Sequence, residues 1–236
     1  MKPQLERRLR RVLAIVGVLL LTPAVIILLL RWVEPPTSAF MLRAHWLQRS
    51  ADGAVQQQWV DLDRMAPCMP LAVVAAEDQT FPYHRGFAWS ALRSAMNANM
   101  AGRSTRLRGG STISQQTVKN LFLWPGRSYL RKAVEGYLTL WLELLWPKRR
   151  ILEMYLNIAQ FDTRIFGVGA AASGIFGTTA AALSPYQCAA LAAILPSPTR
   201  FSAAAPSAYI NGRIRWIRRQ MRQLGPHYLA HVLSTQ

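Results

Sequence analysis

The carboxylates of this chain are few enough to weigh one at a time. Eleven acids stand in 236 residues and none follows Asp162, so any acid–base chemistry draws on a short list. Glu6, Glu34, Asp52, Asp61 and Asp63 fall in the first tail, a Pro-rich link and early polar stretches, and Asp162 follows a helical pattern that it can cap. Glu77, Asp78, Glu135, Glu143 and Glu153 remain. Glu77 closes the apolar run LAVVAAE at the mouth of a turn carrying His84, Arg85 and Gly86. A carboxylate against an apolar wall holds its proton more tightly, which suits a general acid or base. The plainer reading is a helix-end carboxylate paired with Arg85, and the residues alone leave both open.

Glu135 belongs to RKAVE, with Arg131 four residues before it and Lys132 three, so all three share one helix face. They read as a surface ion-pair cluster of little energetic weight, or as a cationic pair that grips phosphate beside a carboxylate orienting a donor or metal. In KRRILEMYLN, Arg149, Arg150 and Glu153 lie among core-type residues Ile151, Leu152, Met154, Tyr155 and Leu156, and bracing of the fold is the favoured role. The stretch GGSTISQQTVKN, 109–120, gathers glycines, hydroxyls, side-chain amides and Lys119 without one carboxylate.

Several chemistries are excluded. No lysine has a serine three residues before it, and no G-x-S-x-G nucleophile turn occurs. His45, His84, His227 and His231 lack metal-ligand spacing. FGVGAAA (166–172) imitates a dinucleotide-binding loop, but no acid follows to hold a ribose; its glycines read as sites of close helix approach.

These residues need elements to position them, and the pattern supplies mostly helices. Apolar helical spacing runs through PLAVVAAED from Pro70, through Trp89, Leu92, Ala95, Met96 and Met100, and over 113–123, 129–146 and 150–158. An alanine-rich stretch at 168–195 and a last helix near 207–224 follow, and strand signals are sparse. Residues 41–49 form a short amphipathic segment, and 99–110 an aperiodic, charged loop. The last helix has an apolar stripe and an arginine-rich surround, which reads as a solvated face or as a surface leaning on lipid headgroups.

The net charge of +17 implies an anionic partner. Val12–Leu30 holds nineteen uncharged residues after Arg7, Arg8, Arg10 and Arg11, so it reads as one uncleaved membrane span with its N-terminus in the cytoplasm. The expected division is a basic tail 1–11, an anchor 12–33, a linker and membrane-proximal segment 34–64, and a domain 65–236. A domain on the far side of the membrane has no nucleic acid to bind. Cys68 and Cys188 are the only cysteines; an oxidising compartment permits a disulfide, but they lie far apart in sequence and two buried free thiols is the favoured reading.

In order and spacing, EDQTFPYHRG (77–86), GGSTISQQTVKNLFL (109–123), RKAVEGYLTLWLE (131–143) and KRRILEMYLN (148–157) resemble the peptidoglycan glycosyltransferase family shared with bifunctional penicillin-binding proteins. GVGAAASGIFG and LAAILPSPTRFS extend the resemblance over about 65–205. Ser114 departs from the family's usual threonine but keeps the hydroxyl. With no Ser-x-x-Lys and no Lys-Thr-Gly, the chain looks like a stand-alone member without transpeptidase activity. The resemblance implies a lysozyme-like, mostly α domain with a smaller membrane-facing lobe. It implies an inverting polymerase of lipid II, blocked by moenomycin, with its catalytic domain in the periplasm at the inner membrane.

By the same resemblance Glu77 is the base and Glu135 stands by the leaving group. Asp78, Phe81, His84, Gly109, Gly110, Ser111, Thr112, Gln115, Gln116, Lys119, Asn120, Arg131 and Lys132 line the substrate site. Small polar donors and cations suit pyrophosphate and sugar oxygens. Arg150, Glu153, Tyr155 and Asn157 form a structural motif. The implied partners are lipid II, the growing lipid-linked glycan and the bilayer, with room for cell-wall synthesis or division proteins. No protein-held metal is expected, although the resemblance allows a divalent cation, Mg or Mn, at the pyrophosphate. A lytic transglycosylase would share the glutamate but need no phosphate-gripping cations; a membrane-anchored basic adaptor would need neither.

Overall fold

The computed structural model describes residues 2–47, 54–88, 110–126 and 128–234. Gly109, the Trp89 to Met100 stripe and the expected 99–110 loop apart from Gly110 lie outside them. The helices are α1 (Lys2–Leu29), α2 (Ala39–Leu47), α3 (Cys68–Glu77), α4 (Ile113–Phe122) and α5 (Tyr129–Leu145). They continue with α6 (Lys148–Ile158), α7 (Gly167–Phe176), α8 (Pro185–Ile194), α9 (Ala208–Leu224) and α10 (Ala230–Leu233). The sheet among the described residues is a parallel pair, β1 (Gln56–Gln57) with β2 (Ile165–Phe166), in which Gln56 lies opposite Ile165. A mostly α domain is therefore present.

Local chemistry sets the helix starts. Thr112 caps α4 and Ser184 caps α8, each with a glutamine three residues on that closes a capping box. Ser128 and Ser207 accept from the backbone N–H of Arg131 and Ile210 to start α5 and α9. The helix expected to open at Pro70 opens at Cys68 instead; Pro70 lies in its first turn, where the missing N–H removes no helical bond.

The core is built around α3, whose Met69, Ala72, Val73 and Val74 are inaccessible to solvent and which packs between α8 and α9. On the other side α4 packs on α5 and α6, α2 on α4, and α1 along α5. Residues 54–60, assigned by sequence to the linker, run along the domain: Asn157 receives the Val60 N–H at 2.8 Å and donates to its carbonyl at 2.9 Å. That approach explains Gly169, where a Cβ would stand 2.5 Å from the Gln58 carbonyl oxygen. The glycine admits an extended segment against α7, not a second helix.

The two cysteines are not free thiols. Cys68 and Cys188 form a disulfide with a Cα separation of 6.0 Å. Because α3 lies alongside α8, the 120 residues between them are no obstacle to pairing.

Among the described residues no helix is long and apolar enough to cross a membrane. The first helix nevertheless extends over 28 residues and exposes Leu13, Ile15, Val18, Leu21, Val25 and Leu29. Its other side is bonded to α5: Tyr137 donates its hydroxyl to the Leu20 carbonyl, and Trp146 Nε1 donates to the Ile27 carbonyl at 2.6 Å.

Candidate active site

Glu77 is the last residue of α3, carried to the edge of the core by the apolar run before it. Burial, the largest influence, raises its pKa; the Gln116 hydrogen bond and the charges of Arg213 and Lys119 oppose that, while Asp78 adds to it. Gln116 Nε2 donates to Glu77 Oε2 at 3.0 Å, and Tyr155 donates its hydroxyl to Gln116 Oε1 at 2.9 Å. Among the described residues the cation paired with the carboxylate is not Arg85 but Arg213, 4.0 Å from Oε1.

The turn after Glu77 is tied to the start of α4. His84 Nε2 donates to Asp78 Oδ2 at 2.8 Å, and the same oxygen accepts the Ile113 N–H at 3.0 Å. The Gly86 N–H donates to His84 Nδ1 at 3.1 Å, which places the imidazole proton on Nε2. Thr112 donates its hydroxyl to the Gly86 carbonyl at 2.7 Å. Gly86 has φ of 83°, and a Cβ there would stand 2.8 Å from Thr139 Cγ2, so the turn requires glycine.

Asp78, Phe81, His84, Thr112 and Gln115 were grouped by resemblance with the substrate contacts. Their described partners are internal: Phe81 is wholly buried, and Gln115 closes the capping box. Asn120 is also buried on α4, whereas Gly110 is exposed and Ser111 half-buried.

Lys119, on the same helix as Gln116, feels the charge of both acids. Burial chiefly lowers its pKa; Glu135 and Glu77 act against that, and Arg131 and Lys132 with it. Glu135 is buried on α5, which corrects the surface-cluster reading. Arg131 NH1 donates to its Oε2 at 2.6 Å, and Lys132 Nζ bonds its Oε1. Arg131 is held from behind by the Gly126 carbonyl at 2.8 Å, and Lys132 also reaches Ser111 Oγ at 3.3 Å. Hydroxyl, lysines and arginine thus converge around one buried carboxylate, a setting for a dense anion.

The bracing residues behave as such. Arg150 pairs with Glu153 at 2.6 Å and donates to the Leu30 and Val33 carbonyls at 3.0 and 2.9 Å. Glu153 in turn accepts the Leu62 N–H at 3.0 Å. A junction missed in the sequence is Glu143, which accepts from Ser114 Oγ and pairs with Lys148 at 2.7 Å. It joins α4, α5 and α6, and only its place on the acid list marked it beforehand. Among the described residues no group of three metal-ligating side chains occurs, and both oxygens of Glu135 are engaged by cations. Among the described residues, the side chains around Glu135 do not by themselves form a metal site.

The described domain is mostly helical, with one glutamate at the end of α3 and a second, buried and paired with two cations, on α5. The transglycosylase family model matches residues 44–222, and the chain belongs to that family. It is 48% identical over 228 residues to a biosynthetic peptidoglycan transglycosylase of Xanthomonas campestris pv. campestris (strain B100), covering 95% of this chain and 92% of the relative. Proteins of the same name from Xanthomonas oryzae pv. oryzae and Xylella fastidiosa (strain M12) are each 46% identical. They cover 96% and 92% of this chain, and 94% and 89% of their own lengths.

Proposed function

We propose that this chain is a peptidoglycan glycosyltransferase that polymerises lipid II into β-1,4-linked glycan, in a lysozyme-like domain with a smaller membrane-facing lobe. The observation that carries the reading is that buried Glu135 is gripped by Arg131 and Lys132 while Lys119, on the helix whose Gln116 bonds Glu77, feels the charge of both acids. Glu77 takes the proton of the acceptor 4-hydroxyl as that oxygen attacks the donor's anomeric carbon, with inversion. The new C1–O4 bond forms as the bond from C1 to the phosphate oxygen breaks. Undecaprenyl pyrophosphate leaves with that electron pair, its charge met by Lys119, Arg131 and Lys132. A divalent cation, which the described side chains would not hold by themselves, would add positive charge at the pyrophosphate beside Lys119, Arg131 and Lys132. A lytic enzyme has no use for the cationic set, so synthesis is favoured.

The exposed apolar side of α1 supports an anchor with the N-terminus inside, the domain in the periplasm and a single pass of the inner membrane. A reporter fused after Gln236 would then work only if it is active in the periplasm. The chemical reading is tested by incubating the purified protein with lipid II and sizing the products. Long uncrosslinked strands, insensitive to β-lactams and blocked by moenomycin, are expected; anhydro-sugar fragments from preformed glycan, or no products, would overturn it.

A further inference from the structure

The arginine-rich α9 is not only a solvated face. Its inner side reaches the element that carries Glu77: Gln220 Oε1 accepts from Gln79 Nε2 at 3.0 Å, and Arg213 approaches the base itself. Arg213 Nε donates to the Ala193 carbonyl at 3.1 Å, one of the last carbonyls of α8, which has no partner further along its own helix. That bond fixes the guanidinium in place. Its NH2 then stands 4.0 Å from Glu77 Oε1, too far for a hydrogen bond but close enough for strong Coulombic attraction.

The two oxygens of Glu77 are therefore treated differently. Oε2 is engaged by Gln116. Oε1 faces a fixed positive charge that occupies none of its lone pairs, which leaves it open to accept a proton.

We propose that Arg213 is a positioning residue for the general base, anchored on Ala193 so that its charge steers Glu77 Oε1 toward the acceptor hydroxyl and holds the carboxylate ready. The proposal rests on Glu77 acting as the base.

The groups that face Glu77 come from every side of α3. Lys119 approaches from α4, Tyr155 from α6, Arg213 from α9 and Asp78 from the end of α3 itself, while α8 carries no charged residue. Of these, Lys119 and Arg213 favour the ionised carboxylate and Asp78 disfavours it. Tyr155, deep in the core, has its pKa raised well above the usual phenol value by burial. Removing the Arg213 charge therefore moves the Glu77 titration upward, because the charge that favours the carboxylate is lost.

The test is the pH dependence of kcat for the full chain in detergent with lipid II, comparing the natural protein with Arg213→Met, Arg213→Gln and Arg213→Lys. The acid limb is expected to move up in pH in the Met and Gln variants, with rate recovered on the alkaline side, and by less in the Lys variant, which keeps the charge. If the limbs of all variants superimpose and the loss is the same at every pH, Arg213 only braces the Ala193 carbonyl and the inference fails. Should Arg213→Met not fold, the Lys and Gln variants carry the comparison. Glu77→Gln run alongside separates the two failures: near-normal turnover there would sink the base assignment itself, whereas an inactive Glu77→Gln with superimposed Arg213 profiles sinks only the role of Arg213.

Discussion

Tyr155 decides which end of the Gln116 amide faces Glu77. Its hydroxyl occupies Oε1 at 2.9 Å, so Nε2 is the end that donates to the carboxylate. Tyr155→Phe frees the amide to turn its oxygen toward Glu77, where two acceptors would meet. The loss of one such bond, worth about 1 kcal/mol, predicts a fall in kcat of about fivefold with a smaller change in KM. Steady-state kinetics on lipid II check this; a change in KM alone would show that Tyr155 acts on substrate binding instead.

Glu77→Gln should lower polymerisation by about 10²–10⁴-fold, the usual contribution of a general base. The same variant carries a stability signature. Burial raises the folded pKa of Glu77 above 4.5. Its contribution to stability is therefore fully present below the unfolded value and lost as pH rises through the folded one. Glutamine does not titrate, so the melting temperature of the variant relative to the natural protein should increase from pH 4 to pH 8. A difference that is flat across that range would contradict the buried setting of Glu77.

Lys119→Ala and Arg131→Ala remove charge-assisted contacts proposed for the pyrophosphate. Both should weaken moenomycin binding, by about tenfold or more, in calorimetric titration. Arg131→Ala should also lower the melting temperature, because it strips the buried Glu135 of one partner. Unchanged inhibitor affinity in both would remove the cationic cluster from the donor site.

Cys68→Ala and Cys188→Ala should each cost about 2–5 kcal/mol of stability, the usual effect of losing a native disulfide. Neither residue lies in the proposed site, so turnover at low temperature should survive. Chemical denaturation with and without reductant measures the first, and a lipid II assay the second.

What could be read from the chain beforehand was whatever repeats locally. Helical periodicity located α4, α5 and α6 within a few residues, and the apolar run before Glu77 foretold its burial. The i, i+3, i+4 spacing put Glu135, Arg131 and Lys132 together, although nothing local told that the cluster is buried. What escaped depends on packing across the chain. Cys68 meets Cys188 only because α3 lies against α8, and Ser114 reaches Glu143 only because α4 crosses α5. Arg213 looked like one more arginine on an amphipathic helix, since its distinction is the carbonyl of Ala193 on another element.

The bonds from Tyr137 and Trp146 to Leu20 and Ile27 work like a key in a shaft. The two carbonyls are seven residues apart, about two helical turns, and so present one side of α1 to α5. Arg150 adds a lock at Leu30 and Val33, just past the helix end. The leading helix is thus tied to α5 and α6 by side chains as well as by the link at 34–38. One residue inserted between Leu20 and Ile27 would turn the upstream part of the helix by about 100° and leave the key facing the wrong wall.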